Sequence, residues 1–334
     1  MSLLSRMLIL ALSFWTSASC ADSAVYNYGD HPAALAVIDE LVAEEGFDRE
    51  QLLAVFGAAE RKDKILEAIS RPAEKVKPWH EYRAIFLTEQ REKEGVTFFE
   101  RHRDTFMRAE AEFGVPAEVI LAIMGVETYY GRIAGSYRVL DALSTLAFDY
   151  PRRSAFFTSE LKHYLILIRD QGFKPQDMIG SYAGAMGFGQ FMPSSYRSYA
   201  IDFDGDGVID IWNNPVDAIG SVANYFVRHG WRTGEAVVFA AAARESVADE
   251  NFVQTRKDLE PVRTVADFAA LGITARQELP PQALATAMKF QLEDGYEYWL
   301  GLHNFYVITR YNHSAMYAMS VYQLSQRLAQ RLAI

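Results

Sequence analysis

A chain of 334 residues, 50% of them hydrophobic, is long enough to bury a large core and to divide into two or three domains. Its 43 acidic residues outnumber 33 basic ones, giving a formal charge of -10. Scattered Lys and Arg in such a background argue against a nucleic-acid surface, because neutralising phosphates requires clustered cations.

In chain order, Arg6, the apolar run Met7 to Phe14 and the small residues up to Cys20 have the charged, apolar and cleavage regions of a secretory signal over residues 1–20. The run is too short to span a bilayer. Export to the periplasm is the expectation. Cys20 is the single cysteine, so the mature chain holds no internal disulfide. A lipid on Cys20, making an outer-membrane lipoprotein, is the minority reading, since Ser17-Ala18-Ser19 lacks the large aliphatic residue usual three positions before such a cysteine.

Residues 24–95 read as an N-terminal helical domain. A helical rhythm runs from His31 to Val42 and stops at Gly46, and Asp48-Arg49-Glu50-Gln51 opens the next helix like a capping box. Pro72 and Pro78 mark a break before Trp79-His80-Glu81-Tyr82. Phe99, Phe106 and Phe113 recur every seven residues and are expected on one face of one helix ending at Gly114, as core packing. Pro116 suits the first position of the following helix. On that helix Ile120, Ile123, Met124 and Glu127 share a face, so the Glu127 carboxylate points toward the interior. Burial without a partner keeps a carboxyl protonated near neutral pH, as a general acid for a glycosidic oxygen must be. A structural role, with Glu127 tied to Arg132, is the competing reading.

From Gly180 to Tyr196 the chain is rich in glycine, aromatics and amide or hydroxyl groups. Glycines allow close backbone approach, and aromatic faces with polar tips suit a sugar; tight packing through small residues is the alternative. Next, Asp202, Asp204, Asp206 and Asp210 occupy acidic positions of an EF-hand loop spanning 202–213, with a backbone carbonyl from Val208 and a turn glycine at Gly207. Asn213 stands at the last position, where a sensor loop has a bidentate glutamate. Asp217 either completes the shell or caps the next helix. A lone loop of this kind points to structural Ca2+ and not to a switch. Residues 233–301 are more irregular and read as a small α/β insertion, with a β-hairpin turning at Asp294-Gly295. The final helix presents Tyr317, Val321, Leu324, Leu328 and Leu332 on one face, with Asn312 as its N-cap. No His-Glu-x-x-His, Gly-x-Ser-x-Gly or phosphate-loop motif is present, and no organic cofactor is expected.

Four blocks together resemble the lytic murein transglycosylases of the B type: Val126 to Gly131, Gly184 to Tyr196, the acidic loop with Trp212 and Pro215 to Ile219, and Asn304 to Asn312. The resemblance implies a mainly α (α+β) protein with a goose-lysozyme-like core, residues 96–232 and 302–334, carrying one calcium-binding loop. It implies that Glu127 protonates the oxygen linking N-acetylmuramic acid to N-acetylglucosamine in peptidoglycan, then acts as base on the muramoyl C6 hydroxyl, leaving a 1,6-anhydro ring in cell-wall turnover. Ser181 and Gln190 would hydrogen-bond the sugar, and Tyr82, Tyr225 and Tyr311 would line the groove; Asn312 is sugar ligand or helix cap. The expected partner is the glycan strand, met by a monomer. A muramidase using water would need a second acid, Asp141 or Asp149 being nearest in sequence. A noncatalytic, calcium-stabilised glycan-binding protein would bind without turnover.

Overall fold

The computed structural model describes residues 26–70 and 77–334. The expectations on the amino-terminal signal, on Cys20 and on Pro72 lie outside these residues. The amino-terminal part comprises α1 (Pro32–Glu45), α2 (Arg49–Gly57) and α3 (Asp63–Ser70). Gly46 ends α1 in the left-handed conformation at φ 68, and the Asp48 carboxylate caps α2 by accepting from Gln51 N at 2.8 Å.

Helices α4 (Trp79–Phe86), α5 (Glu89–Arg101), α6 (Arg103–Phe113) and α7 (Ala117–Thr128) follow. The seven-residue phenylalanine repeat does not lie on one helix. His102, at φ -123 and ψ 24, breaks it between α5 and α6. Phe99 and Phe106 still stack across the break with centroids 5.3 Å apart, so the stripe's packing role survives the chain's turn. Pro116 is the N-cap of α7 and not its first residue; its ψ of 137 is extended. Glu110 reaches over from α6 to accept from Ala117 N at 3.0 Å, doing what a proline side chain cannot.

A short pair, β1 (Tyr137–Arg138) with β2 (Ile179–Gly180), brackets α8 (Val139–Asp149) and α9 (Ser154–Gln171). Then come α10 (Pro193–Tyr199) and α11 (Pro215–Arg228). The irregular region is an antiparallel sheet of β3 (Val238–Ala243), β4 (Arg263–Thr264), β5 (Ile273–Ala275), β6 (Leu284–Gln291) and β7 (Tyr296–Gly301), with α12 (Val265–Leu271) between β4 and β5. Strand order is β4-β6-β7-β3-β5. The expected hairpin is β6 and β7, paired from Gln291 with Tyr296 to Thr286 with Gly301. The chain then forms α13 (His303–Tyr311) and α14 (Ala315–Leu332). Asn312 is not the cap of α14. It ends α13, while Ser314 Oγ accepts from Tyr317 N, because His313 and Ser314 intervene before the helix starts.

Three apolar clusters hold these elements. One gathers α4 to α7, α11, α13 and α14 around Phe99, Ile123, Phe226, Phe305 and Leu324. A second joins α1 to α3 with α8 and α9 through Ile38, Phe56, Leu143 and Tyr164. A smaller one, with Phe268 and Leu300, lies within the sheet region. The apolar face of α14, from Tyr317 to Leu332, is buried as its periodicity requires. Among the described residues no helix is long and apolar enough to cross a membrane.

Candidate active site

Glu127 lies in the last turn of α7, where the apolar run leads it toward the core and Tyr129, left-handed at φ 54, ends the helix. The residue is half-buried, and among the described residues its one side-chain partner is Tyr317, whose hydroxyl donates to Oε1 at 2.5 Å. Burial pushes the Glu127 pKa up from 4.5 to about 7, against the smaller downward pull of the Tyr317 hydrogen bond. The alternative partner, Arg132, is turned away and pairs with Glu94. Among the described residues Glu127 therefore has no ion-pair partner, and burial keeps its acid form populated toward neutrality.

Tyrosines crowd this acid. The hydroxyls of Tyr82, Tyr311 and Tyr317 all have pKa values raised chiefly by burial and also by the Glu127 charge, which puts the three within its electrostatic reach. Tyr311 donates to Gly189 O at 2.6 Å and so ties α13 to the glycine-aromatic segment. Tyr225 is more deeply set than a groove-lining role requires: it is 7% exposed and donates to Arg310 O at 2.7 Å. Its ring packs on Tyr311 at 4.6 Å, which makes it a support for that wall. Asn312 is exposed at the carboxyl end of α13 and does not cap α14.

The glycine-aromatic segment is fastened directly to the acid's helix. Thr128 Oγ1 donates to Phe188 O at 2.9 Å and accepts from Gly131 N at 2.9 Å. A Cβ on Gly131, at φ 87, would come within 2.1 Å of Phe188 Cε1, so only glycine lets the two segments meet. Ser181 Oγ accepts from Ala183 N and Ala185 N, at 3.3 and 3.0 Å, and shapes the turn. Gln190 Nε2 donates to Ala134 O and Gly187 O, at 3.2 and 3.0 Å, with its own backbone left-handed at φ 51. Ser181 and Gln190 thus both belong to the loop that faces the end of α7, with their hydrogen-bonding capacity partly used within it. Three of the four non-glycine residues with positive φ among those described, Tyr129, Tyr130 and Gln190, lie here. Strained backbone of this kind clusters at functional sites.

Tyr317 is the site residue that sequence reasoning did not assign. It was legible only as the first member of the α14 stripe. The signal was its polar tip: a buried phenol in an otherwise aliphatic face needs a hydrogen-bond partner. The two acids considered for a second catalytic role are committed elsewhere. Asp141 is fully buried, accepts from Arg138 Nε at 2.8 Å and from Glu60 N at 2.9 Å, and Asp149 accepts from Tyr28 at 2.6 Å.

In the acidic loop, Asp202, Asp204 and Asp217 bring carboxylate oxygens within 4.8 Å of one another. Asp206 and Asp210 are not part of that trio: Asp206 Oδ1 accepts from Val208 N, and Asp210 Oδ1 accepts from Trp212 N and Asn213 N. Of the two roles considered for Asp217, the helix cap is taken by another residue. Asn214 is the N-cap of α11, accepting from Val216 N, and the fully buried Asp217 accepts from Phe203 N and Asp210 N, both at 2.8 Å. Donors led by Gly207 N hold Asp202 below the usual carboxylate range, whereas burial raises Asp217. Three hard oxygen donors converging on one point fit a divalent cation of the calcium type.

Residues 30–326 match the family described as Transglycosylase SLT domain. The chain belongs to that family. Over 312 residues this SLT-domain protein is 44% identical to the membrane-bound lytic murein transglycosylase B of Escherichia coli K12, covering 91% of the chain and 84% of the relative. The crystal structure of soluble lytic transglycosylase SltB1 from Pseudomonas aeruginosa superposes with a TM-score of 0.87 at 51% identity, over 91% of this chain and 100% of that one. The Escherichia coli lytic transglycosylase Slt35, solved in complex with calcium, matches with a TM-score of 0.84 at 43% identity, over 92% and 96% of the two chains. The SLT-domain protein is accordingly a mostly helical, lysozyme-like lytic transglycosylase acting on peptidoglycan.

Proposed function

We propose that the protein cuts the β-1,4 bond between N-acetylmuramic acid and N-acetylglucosamine without water, using Glu127 alone. The observation that carries this is a carboxyl raised to about 7 with a phenol as its one side-chain partner among the described residues. Protonated Glu127 gives its proton to the bridging oxygen as the bond from that oxygen to the muramoyl anomeric carbon breaks, and N-acetylglucosamine leaves as an alcohol. The resulting carboxylate takes the proton of the muramoyl C6 hydroxyl, whose oxygen bonds to the anomeric carbon and closes the 1,6-anhydro ring. The enzyme ends reprotonated and the atoms balance. The substrate's acetamido group supports the positive charge at the anomeric carbon, and an internal nucleophile has a large advantage in effective concentration over water. Hydrolysis by the usual routes needs a second carboxylate across the bond. Asp141 and Asp149 hold the amino-terminal helices instead.

Ser181, Gln190, Tyr82 and Tyr311 border the sugar in this reading. Asp202, Asp204 and Asp217 would hold a structural calcium ion in the loop, with the Val208 carbonyl as a further candidate ligand. The amino-terminal segment fits export to the periplasm for cell-wall turnover; the mass of the mature amino terminus separates simple cleavage from acylation at Cys20. The central test is mass spectrometry of digested sacculi. Anhydromuramoyl ends are expected from the native protein, and none from Glu127→Gln, which should still bind glycan. Reducing ends as the main product would replace this mechanism with hydrolysis.

A further inference from the structure

Helix α4 reaches the acid as a bridge held at both ends. At its start Trp79 is buried, packs on Phe290 of β6 with ring centroids 4.9 Å apart, and donates from Nε1 to Glu297 Oε1 of β7 at 2.5 Å. In its middle Tyr82 lies within the electrostatic reach of Glu127, and its ring packs on Phe86, one turn further along, at 5.4 Å. At its far end the partner is Arg91 of α5, whose Nη1 donates to Ile85 O at 2.8 Å.

Arg91 touches more than α4. Its Cζ lies 5.3 Å from the centroid of the Phe86 ring and 4.6 Å from that of Tyr129, the left-handed residue that ends the Glu127 helix. The acids beside it on α5 are engaged elsewhere. Glu92 pairs with Arg327 and Arg331 of α14, while Glu94 pairs with Arg132 and accepts from the Tyr129 hydroxyl at 3.4 Å. Arg91 Nε has no hydrogen-bond partner among the described residues. The half-buried guanidinium is therefore oriented by two aromatic faces, one on each element it joins, and such contacts strengthen as water is withdrawn from the cation. The two Glu92 pairs hold α5 on α14 and give the arginine a fixed base.

We propose that Arg91 is a positioning residue for the transglycosylase reaction, latching the Tyr82 wall of the groove to the end of the helix that carries Glu127. The inference deepens the reading in which Tyr82 borders the sugar, and rests on it. With the latch removed, the carboxyl end of α4 is held only through its Trp79 anchor and packing, and Tyr82 moves from the place where a sugar ring would lie against the acid.

The test is a double-mutant cycle on soluble glycan oligomers, scoring total chain cleavage so that the result does not depend on which kind of end is formed. Arg91→Met keeps an aliphatic stem without the charge and should lower kcat/KM about tenfold in protein shown to be folded by its thermal melt. Arg91→Lys returns a cation to the two rings without the fork that reaches Ile85 O, and should recover about threefold of that loss. Tyr82→Ala should lower kcat/KM about tenfold in the native protein but no more than about twofold in Arg91→Met, because a side chain already displaced has little left to lose. An equal loss from Tyr82→Ala in both backgrounds, full activity in Arg91→Met, or Arg91→Lys as impaired as Arg91→Met overturns the latch and leaves the role of Tyr82 standing. Full activity of Tyr82→Ala in the native protein removes that role, and the latch with it.

Discussion

At Glu127, burial raises the acid's pKa and one hydrogen bond, from Tyr317, limits the rise. Tyr317 stabilises the carboxylate form, so Tyr317→Phe should raise the Glu127 pKa above its native value of about 7. A general acid works while protonated, so the high-pH limb of the activity profile should move upward; an unmoved limb would show that another group controls it. Stability carries the same signature. The folded pKa lies above the unfolded 4.5, so the contribution of Glu127 is fully present below pH 4.5 and is lost as pH rises through about 7. Glu127→Gln has no such loss and should be the more stable protein at pH 8, by no more than about 3 kcal/mol, with the gap closing toward pH 4. Thermal melts across that window measure it. Glu127 itself was legible because an apolar stripe aimed it inward. Its partner was not, since the phenol comes from 190 residues away and no local spacing encodes that contact.

Among the elements, the acidic loop and α11 form one unit through Asp217. Removing that side chain strips two backbone N–H groups of their acceptor, so Asp217→Ala should cost about 2–5 kcal/mol even in metal-free protein. Asp204→Ala removes an exposed carboxylate and should chiefly abolish the melting-temperature loss that a chelator causes in the native, calcium-loaded protein. If chelation leaves the native melting temperature unchanged, the calcium reading fails. The loop was legible because its acids recur at fixed spacing, but which of them converge was not, since the trio is closed by Asp217 arriving from α11. The errors at Pro116, Asn312 and the phenylalanine stripe share a cause. Periodicity marks a buried face, while the residue at which a helix starts or breaks depends on donors reaching in from neighbours, as Glu110 does for Ala117.

On the scale of the whole molecule, the site is assembled from α4, α7, α13, α14 and the segment between β2 and α10, while the amino-terminal helices are held against α8 from outside it. Asp141 makes that second junction, with Arg138, Lys62 and Glu60 N converging on one buried carboxylate. Asp141→Ala should therefore destabilise the protein by about 2–4 kcal/mol and speed hydrogen exchange in residues 26–70, with KM for glycan unchanged at temperatures where it stays folded. A specific loss of turnover in folded Asp141→Ala would instead revive the two-acid hydrolase. The mainly helical class and the sheet insertion were readable from periodicity and turn residues, whereas the joining of distant helices into shared clusters is set by packing that a linear pattern does not contain. The left-handed backbones of Tyr129 and Gln190 also bear on how such a protein can change. Each holds a side chain where glycine would sit with less strain, so a laboratory selection for heat resistance alone would drift toward glycine at both, and catalytic rate is what the survivors would forfeit.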